Sequence, residues 1–269
     1  MNFATSISVL GLLQAALVAL PRSPLPTLPE PLRLNSRWWA LVPALSIVVV
    51  IAAIELDSDS ATALSYLALV AVPGLAAVAL GCLVQGAQPI WAVAAVPLFG
   101  LAWALQGALA GEVAAATLSA LACIGLGWLL VSVAPAVWLR IGIYAMAAID
   151  AWLVGAQLLQ EPSSVLSAAD PAGLPRLQVV EFGSARMGFG DIFVAALAGC
   201  LLAASPRLQL RAAILVAILA LVFDLLFFEV DTLPATVPVA LALALVSWRR
   251  SAGVADQGDR IDGAKPSHG

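Results

Sequence analysis

Three acidic residues stand inside apolar stretches of this chain, and what surrounds them decides which chemistry is open to it. Asp150 lies in Ala147-Ala148-Ile149-Asp150-Ala151-Trp152. Asp191 closes the run Met187-Gly188-Phe189-Gly190-Asp191, and Asp224 lies in Val222-Phe223-Asp224-Leu225-Leu226. A carboxylate at the centre of a spanning helix costs about 2.5–3.5 kcal/mol on insertion scales, so each is a functional candidate by default. Two carboxylates held about 3 Å apart cannot both ionise, and they share one proton. One then activates water against a peptide carbonyl, while the other protonates the developing oxyanion and later the leaving amine. A pair of intramembrane aspartates can equally bind backbone groups or relay protons in a transporter. The two residues alone leave these readings open. Asp224 sits about one turn from Glu229 and Asp231, so its side chain is expected to reach the interface rather than catalyse.

The remaining inventory narrows the chemistry. The one histidine, His268, lies next to the last residue. No HExxH zinc pattern, membrane Ser-His or Cys-His pair, Walker loop or basic nucleic-acid patch occurs. Cys82, Cys123 and Cys200 fall in apolar segments and read as small buried hydrophobes. Catalysis within a membrane therefore falls to carboxylates, with no metal or other cofactor expected and water as the second substrate.

The elements that must position these acids are membrane helices. Of 269 residues, 62% are hydrophobic and 10% charged, against roughly 25% charged in soluble domains. Spanning helices need about 20 apolar residues. Nine segments fit: 3–20, 38–54, 62–84, 89–110, 112–134, 137–159, 187–204, 210–228 and 232–248. Only Ala110-Gly111-Glu112 separates the fourth from the fifth. The first lacks the positive flank of a signal peptide and reads as a retained helix. The expected class is an all-α polytopic membrane protein with a short β element before the seventh helix. Residues 1–134 hold helices one to five as a scaffold, and 135–248 hold helices six to nine as the catalytic part. Residues 249–269 form a polar tail expected to be disordered and cytoplasmic.

Orientation follows the distribution of basic residues. With the N-terminus outside, ten of the twelve Lys and Arg fall on the inner side, and only Arg176 and Arg186 fall outside. No spanning segment separates Asp150 from Asp191, so the sixth and seventh helices are expected to be antiparallel neighbours. Asp191 then lies about 7–8 Å past Arg186, and Asp150 about 14 Å before Leu159. The depths match if the sixth helix breaks near Gly155, and that break would also admit water from outside.

The long connection between these helices, Gln160 to Arg186, lies on the outer face in this orientation. Within it Ser163-Ser164-Val165-Leu166 reads as a short interfacial helix. Leu177 to Phe182 reads as a strand with an unpaired edge just ahead of Gly188. A substrate helix must unwind before hydrolysis, and pairing with Val179, Val180 and Phe182 would compensate its freed backbone groups. Gly188 and Gly190 let the backbone bend and approach closely, giving clearance beside Phe189 and Asp191 for an unwound chain. The ninth segment opens Leu233-Pro234-Ala235-Thr236-Val237-Pro238, where two prolines prevent a regular first turn. Irregular backbone at membrane depth persists only when buried in protein or lining a cavity.

Together these residues resemble the presenilin and signal peptide peptidase group of intramembrane aspartyl proteases, in a prokaryotic-type form. That group carries one Asp in helix six, Gly-x-Gly-Asp at helix seven and Pro-Ala-Leu at helix nine. The resemblance implies Asp150 and Asp191 as the catalytic pair. It implies that Gly188, Gly190, Pro234 and Ala235 shape the site and help hold substrate. The chain departs from the family at Ile149, where Tyr is usual, at Thr236, where Leu is usual, and at Pro238, one residue late. These departures bear on substrate preference and on the third motif. The implied activity is hydrolysis of peptide bonds within transmembrane or signal-peptide helices. The implied partners are that substrate helix and the lipid bilayer, in a prokaryotic inner membrane, with no nucleic acid. N-out, C-in orientation is similar to signal peptide peptidase and implies a substrate helix with its N-terminus inside. Three alternatives stay open: a proton-coupled transporter using the same aspartates, a catalytically silent binding protein of the same fold, and a prepilin-peptidase-like enzyme. The prepilin peptidases share Gly-x-Gly-Asp but place spanning segments between their aspartates, unlike this chain.

Overall fold

A computed structural model of the chain describes residues 3–23, 25–26, 58–156, 173–225 and 234–248, with 58–65 described as backbone alone. The expected second segment, the Ser163–Leu166 helix, the far ends of the sixth and eighth segments and the tail lie outside these residues.

Eight helices are numbered here in chain order: α1 (Phe3–Ala19), α2 (Ser58–Val78), α3 (Ala95–Ala104), α4 (Leu109–Val133), α5 (Ala136–Gly155), α6 (Phe189–Leu202), α7 (Pro206–Asp224) and α8 (Val237–Trp248). α2 continues into a π turn over Ala79–Leu83, and a 3-10 turn over Pro89–Ala94 leads into α3. Among the described residues, Tyr66–Leu83, α4, α5 and α7 are long and apolar enough to cross a membrane, and the other apolar helices are shorter. The periphery is apolar too: Val70, Val96, Trp152 and Trp248 are 78%, 72%, 66% and 76% exposed. Such surface is unsuited to water and suited to lipid. The chain is mostly helical, with four described helices that are candidates to span a membrane.

One boundary differs from the sequence expectation. The fourth and fifth segments part at 105–108, and Ala110, Gly111 and Glu112 lie inside α4. A positive φ at Gly107, +76°, makes the turn. Glu112 sits in the first turn of α4, where a carboxylate favours the helix dipole.

The core is built around α6. Every residue from Ile192 to Leu202 is buried. At 14 residues, α6 is about 21 Å long, shorter than the roughly 30 Å hydrocarbon core. Protein rather than lipid surrounds it. α1 and α4 pack most extensively against it, α5 and α7 touch it more lightly, and α1 also lies along α7. Close approach sets this geometry. A Cβ on Gly199 would fall 2.6 Å from the Leu17 carbonyl oxygen and 2.8 Å from that of Val18. Small residues are how membrane helices gain van der Waals contact without a hydrophobic driving force. Gly199→Ala is therefore expected to destabilise the fold by about 1–3 kcal/mol, as overpacking does. The midpoint of thermal unfolding in detergent reads this, and an unchanged midpoint would rule out the approach.

The β element is a hairpin, not the single strand expected. β1 (Val179–Phe182) pairs antiparallel with β2 (Ala185–Gly188), with Val179 opposite Gly188 and Phe182 opposite Ala185. Gly183 turns the chain with φ +61°. α1 and α4 flank the hairpin. The Gly183 N–H donates to Glu112 Oε2 at 2.8 Å, and the Ser184 N–H donates to Ser6 Oγ at 3.3 Å. Ser119 Oγ donates to the Leu177 carbonyl at 2.9 Å. Non-helical backbone beside membrane helices is thus satisfied by protein groups, as a medium without water requires.

Candidate active site

α5 runs unbroken to Gly155 and stops there, its last turn closed by the Ala156 N–H on the Trp152 carbonyl at 2.8 Å. Asp150 is consequently five residues from the helix end, about 7–8 Å. The helix end falls where a break was expected. The other depth is corrected: residues 186–188 are strand, with a rise of about 3.3 Å per residue, so Asp191 lies farther from Arg186 than a helical rise gives. The chain returns through the hairpin, and β2 passes directly into α6. Gly188 is the N-cap of α6, with extended φ −66° and ψ 150°, and Asp191 is the third residue of the helix. Asp191 Oδ2 accepts the Gly188 N–H at 3.2 Å, which holds the carboxylate back over the helix start. A Cβ on Gly188 would lie 3.3 Å from that same oxygen, whereas one on Gly190 would meet open space. A side chain at 188 would crowd the carboxylate by a few tenths of an ångström, and the exposed Gly190 leaves room beside it.

Asp150 faces the start of α8. Pro234 withholds an N–H, and Ala235 and Thr236 form a turn ahead of the helix, which begins at Val237. Thr236 Oγ1 donates to Asp150 Oδ2 at 2.6 Å, and the Thr236 N–H points to the same oxygen at 3.4 Å. Thr236 is 2% exposed. The residue that departs from the family pattern is therefore the hydroxyl partner of a candidate catalytic carboxylate. A short O–H···O⁻ bond of this kind is among the stronger ones a protein makes. One amide, that of Gln14, bonds the main-chain carbonyls of both Asp191 and Ala235, and Thr236, next to Ala235, bonds Asp150, so the two aspartates are brought to one place. Each is approached by a main-chain N–H at a helix start: Gly188 for Asp191, Thr236 for Asp150.

The expected site residues separate into two groups. Asp150, Asp191, Gly188, Gly190, Pro234, Ala235 and Thr236 converge. Val179, Val180 and Phe182 lie in β1, which reaches the site through Val179, opposite Gly188. Val180 is buried in the core, and Val179 and Phe182 are half-buried. Phe189 opens α6, half-buried, with its carbonyl 3.9 Å from Cys123 Sγ. The unpaired edge expected of the strand is half taken. β2 covers one side of β1, so the outer edge of the hairpin on the side leading to Asp191 belongs to β2, against which α1 also packs. In a two-residue hairpin the closing pair, Phe182 and Ala185, is hydrogen-bonded and the pattern alternates from there. The main-chain groups of Arg186 and Gly188 consequently point away from β1. Beside them, Arg186 Nε bonds Glu181 Oε1 across the strands at 3.0 Å.

Asp224 is elsewhere. Its Oδ2 accepts from Ser8 Oγ of α1 at 3.0 Å, so it fastens α7 to α1 rather than only reaching outward. Among the described residues no three His, Cys, Asp or Glu side chains gather as a metal ligand set. Gln14 of α1, 1% exposed, belongs to the site without any motif to announce it. Its Nε2 donates to the Asp191 carbonyl at 3.3 Å and to the Ala235 carbonyl at 3.0 Å. The available signal was a lone amide inside an apolar segment. Comparison with protein-family models, curated proteins and solved structures gives no match.

Proposed function

We propose that the chain is an intramembrane aspartyl protease, similar to the presenilin and signal peptide peptidase group, that hydrolyses peptide bonds within transmembrane or signal-peptide helices. The observation that carries this reading is the convergence of Asp150, near the end of α5, and Asp191, near the start of α6, each with its own donor and glycine clearance beside one of them. A pair sharing one proton has what hydrolysis needs. The ionised carboxylate takes a proton from water as its oxygen attacks the peptide carbonyl carbon. The protonated partner gives its proton to the developing oxyanion. The tetrahedral intermediate then collapses, the C–N bond breaks, and the amine leaves with a proton returned by the pair. No other group is needed to balance the step.

The outer edge of β2 gives an unwound substrate a place to bond at Arg186, the Gly188 N–H being already donated to Asp191. Gly188 lies three residues before Asp191 and Arg186 two further along the strand, so a strand added there would carry its carbonyls toward the aspartates. Arg186→Pro removes one outward N–H at a position where an edge strand tolerates proline. It is expected to lower cleavage about tenfold, whereas Arg186→Ala is expected to leave it within about twofold. Equal losses in both would assign the effect to the Glu181 ion pair instead. The positive-inside distribution supports N-out orientation and a substrate helix with its N-terminus inside.

The deciding assay is purified chain in liposomes with a labelled transmembrane helix. Expected are two peptide products and inhibition by a peptide whose scissile carbonyl is replaced by a hydroxymethylene. Intact peptide together with proton flux across the liposome would instead establish the transporter. Cleavage restricted to helices of the opposite orientation would overturn the orientation alone.

A further inference from the structure

α1 stands at the opposite end of the sequence from the candidate catalytic residues, yet it touches the site at one point. Gln14 is a single amide group in an apolar helix, buried to 1% exposure. Its nitrogen has two hydrogens, and the two carbonyls it meets belong to different catalytic elements. One is the main chain of Asp191, at 3.3 Å. The other is the main chain of Ala235, at 3.0 Å, whose neighbour Thr236 holds Asp150. A planar NH₂ group has fixed angles between its donors, so bonding both carbonyls fixes the separation of the first turn of α6 from the turn ahead of α8. α1 is itself rigidly held. Its Leu17 and Val18 carbonyls press on Gly199 of α6, its Ser8 bonds Asp224 of α7, and its Ser6 bonds the hairpin tip.

From this geometry we infer that Gln14 is a positioning residue that sets the spacing of the carboxylate pair. It acts through the Asp191 main chain on one side and through Ala235 and Thr236 on the other. It donates to main-chain carbonyls and touches neither carboxylate, so its part is alignment rather than proton transfer. Reaction rate in such a pair depends on placement. An error near 1 Å far from the chemistry can lower it about 100-fold. The inference rests on the protease reading for its kinetic consequence and on geometry alone for its structural one.

Gln14→Met keeps the length and bulk of the side chain and removes both donors. It is expected to lower kcat about 30-fold with KM within about twofold, because substrate binds along the hairpin edge and not to α1. Gln14→Glu, isosteric but without the amide donors, is expected to fall as far as Gln14→Met. Folding is followed in parallel by the thermal midpoint in detergent, and a Gln14→Asn variant, which keeps the donors on a shorter arm, is expected to recover part of kcat. A second readout does not require cleavage. With ¹³C-labelled aspartate carboxyls, assigned by Asp150→Asn and Asp191→Asn, Gln14→Met is expected to shift both resonances while leaving that of Asp224 in place. Unshifted resonances would overturn the inference whether or not the chain proves to be a protease. So would a kcat within about threefold of the parent, or a loss carried wholly by KM. If the parent chain cleaves nothing while the resonances shift, the protease reading falls and the positioning role stands.

Discussion

Replacing either aspartate with asparagine is expected to reduce peptide cleavage by about 10³–10⁴-fold, with the fold retained. The side chains are isosteric, so helix packing is preserved. The chemistry is not. An amide neither takes a proton from water nor carries one to the oxyanion, and general acid–base catalysis of this kind contributes roughly 10²–10⁴-fold per group. The two variants are expected to be nearly equal to each other and to the double variant, because groups acting as a unit lose their function together. The local consequences differ. Asp191→Asn keeps an acceptor for the Gly188 N–H, and Asp150→Asn keeps an acceptor for Thr236, so neither leaves a buried donor without a partner. Single-turnover cleavage in liposomes measures the effect. Residual activity above about a tenth in either variant would remove that residue from the catalytic pair.

Thr236→Val is expected to lower kcat about 100-fold, and Thr236→Ser to retain most of it. Valine matches threonine in shape and discards the hydroxyl that donates to Asp150 at 2.6 Å. A hydrogen bond to a charged group contributes about 1.5–3 kcal/mol, and each 1.36 kcal/mol is about tenfold in rate. The main-chain N–H of Thr236, at 3.4 Å, is too distant to take over. A substitution acting only on packing would affect Ser more than Val, because serine leaves a methyl-sized void beside a residue only 2% exposed. The rank order Ser above Val therefore separates the chemical role from the structural one. The reverse order, with both variants folded, would assign Thr236 to packing.

Much of the architecture is legible from residue types. Apolar length places the helices because lipid enforces it, and the aspartates announce themselves because their burial is costly. The stop at Gly155 is expected from a depth comparison whose other half fails, because residues 186–188 are strand rather than helix. Other features were visible only in part. Val179–Phe182 and Ala185–Gly188 flank Gly183-Ser184, a dipeptide suited to a tight hairpin turn, but the second run contains Arg186 and glycine and lacks β-branched residues. Its strand character comes from pairing, not propensity. Ala110-Gly111-Glu112 has the composition of a connection and lies in a helix, because Gly107 supplies the turn earlier and Glu112 suits a first turn. Thr236 reads as a departure from a motif until Asp150 is seen against it. Gln14 depends wholly on tertiary placement: nothing within α1 tells which carbonyls, more than 170 positions away, its amide will meet.

The order in which the chain is made gives the α8 contact a further meaning. α1 and α4, which enclose α6, are synthesised before it, so a place exists for that short buried helix when it leaves the ribosome. Both aspartates are in hand once α6 has docked. Thr236 and Ala235 belong to the last described helix entry and arrive only afterwards. A nascent chain that ends before Pro234 holds two carboxylates and neither the hydroxyl that orients Asp150 nor the carbonyl that Gln14 grips. Under the reading argued above, the cutting centre is completed only when α8 inserts, and a chain not yet extended that far is held harmless to its neighbours in the membrane.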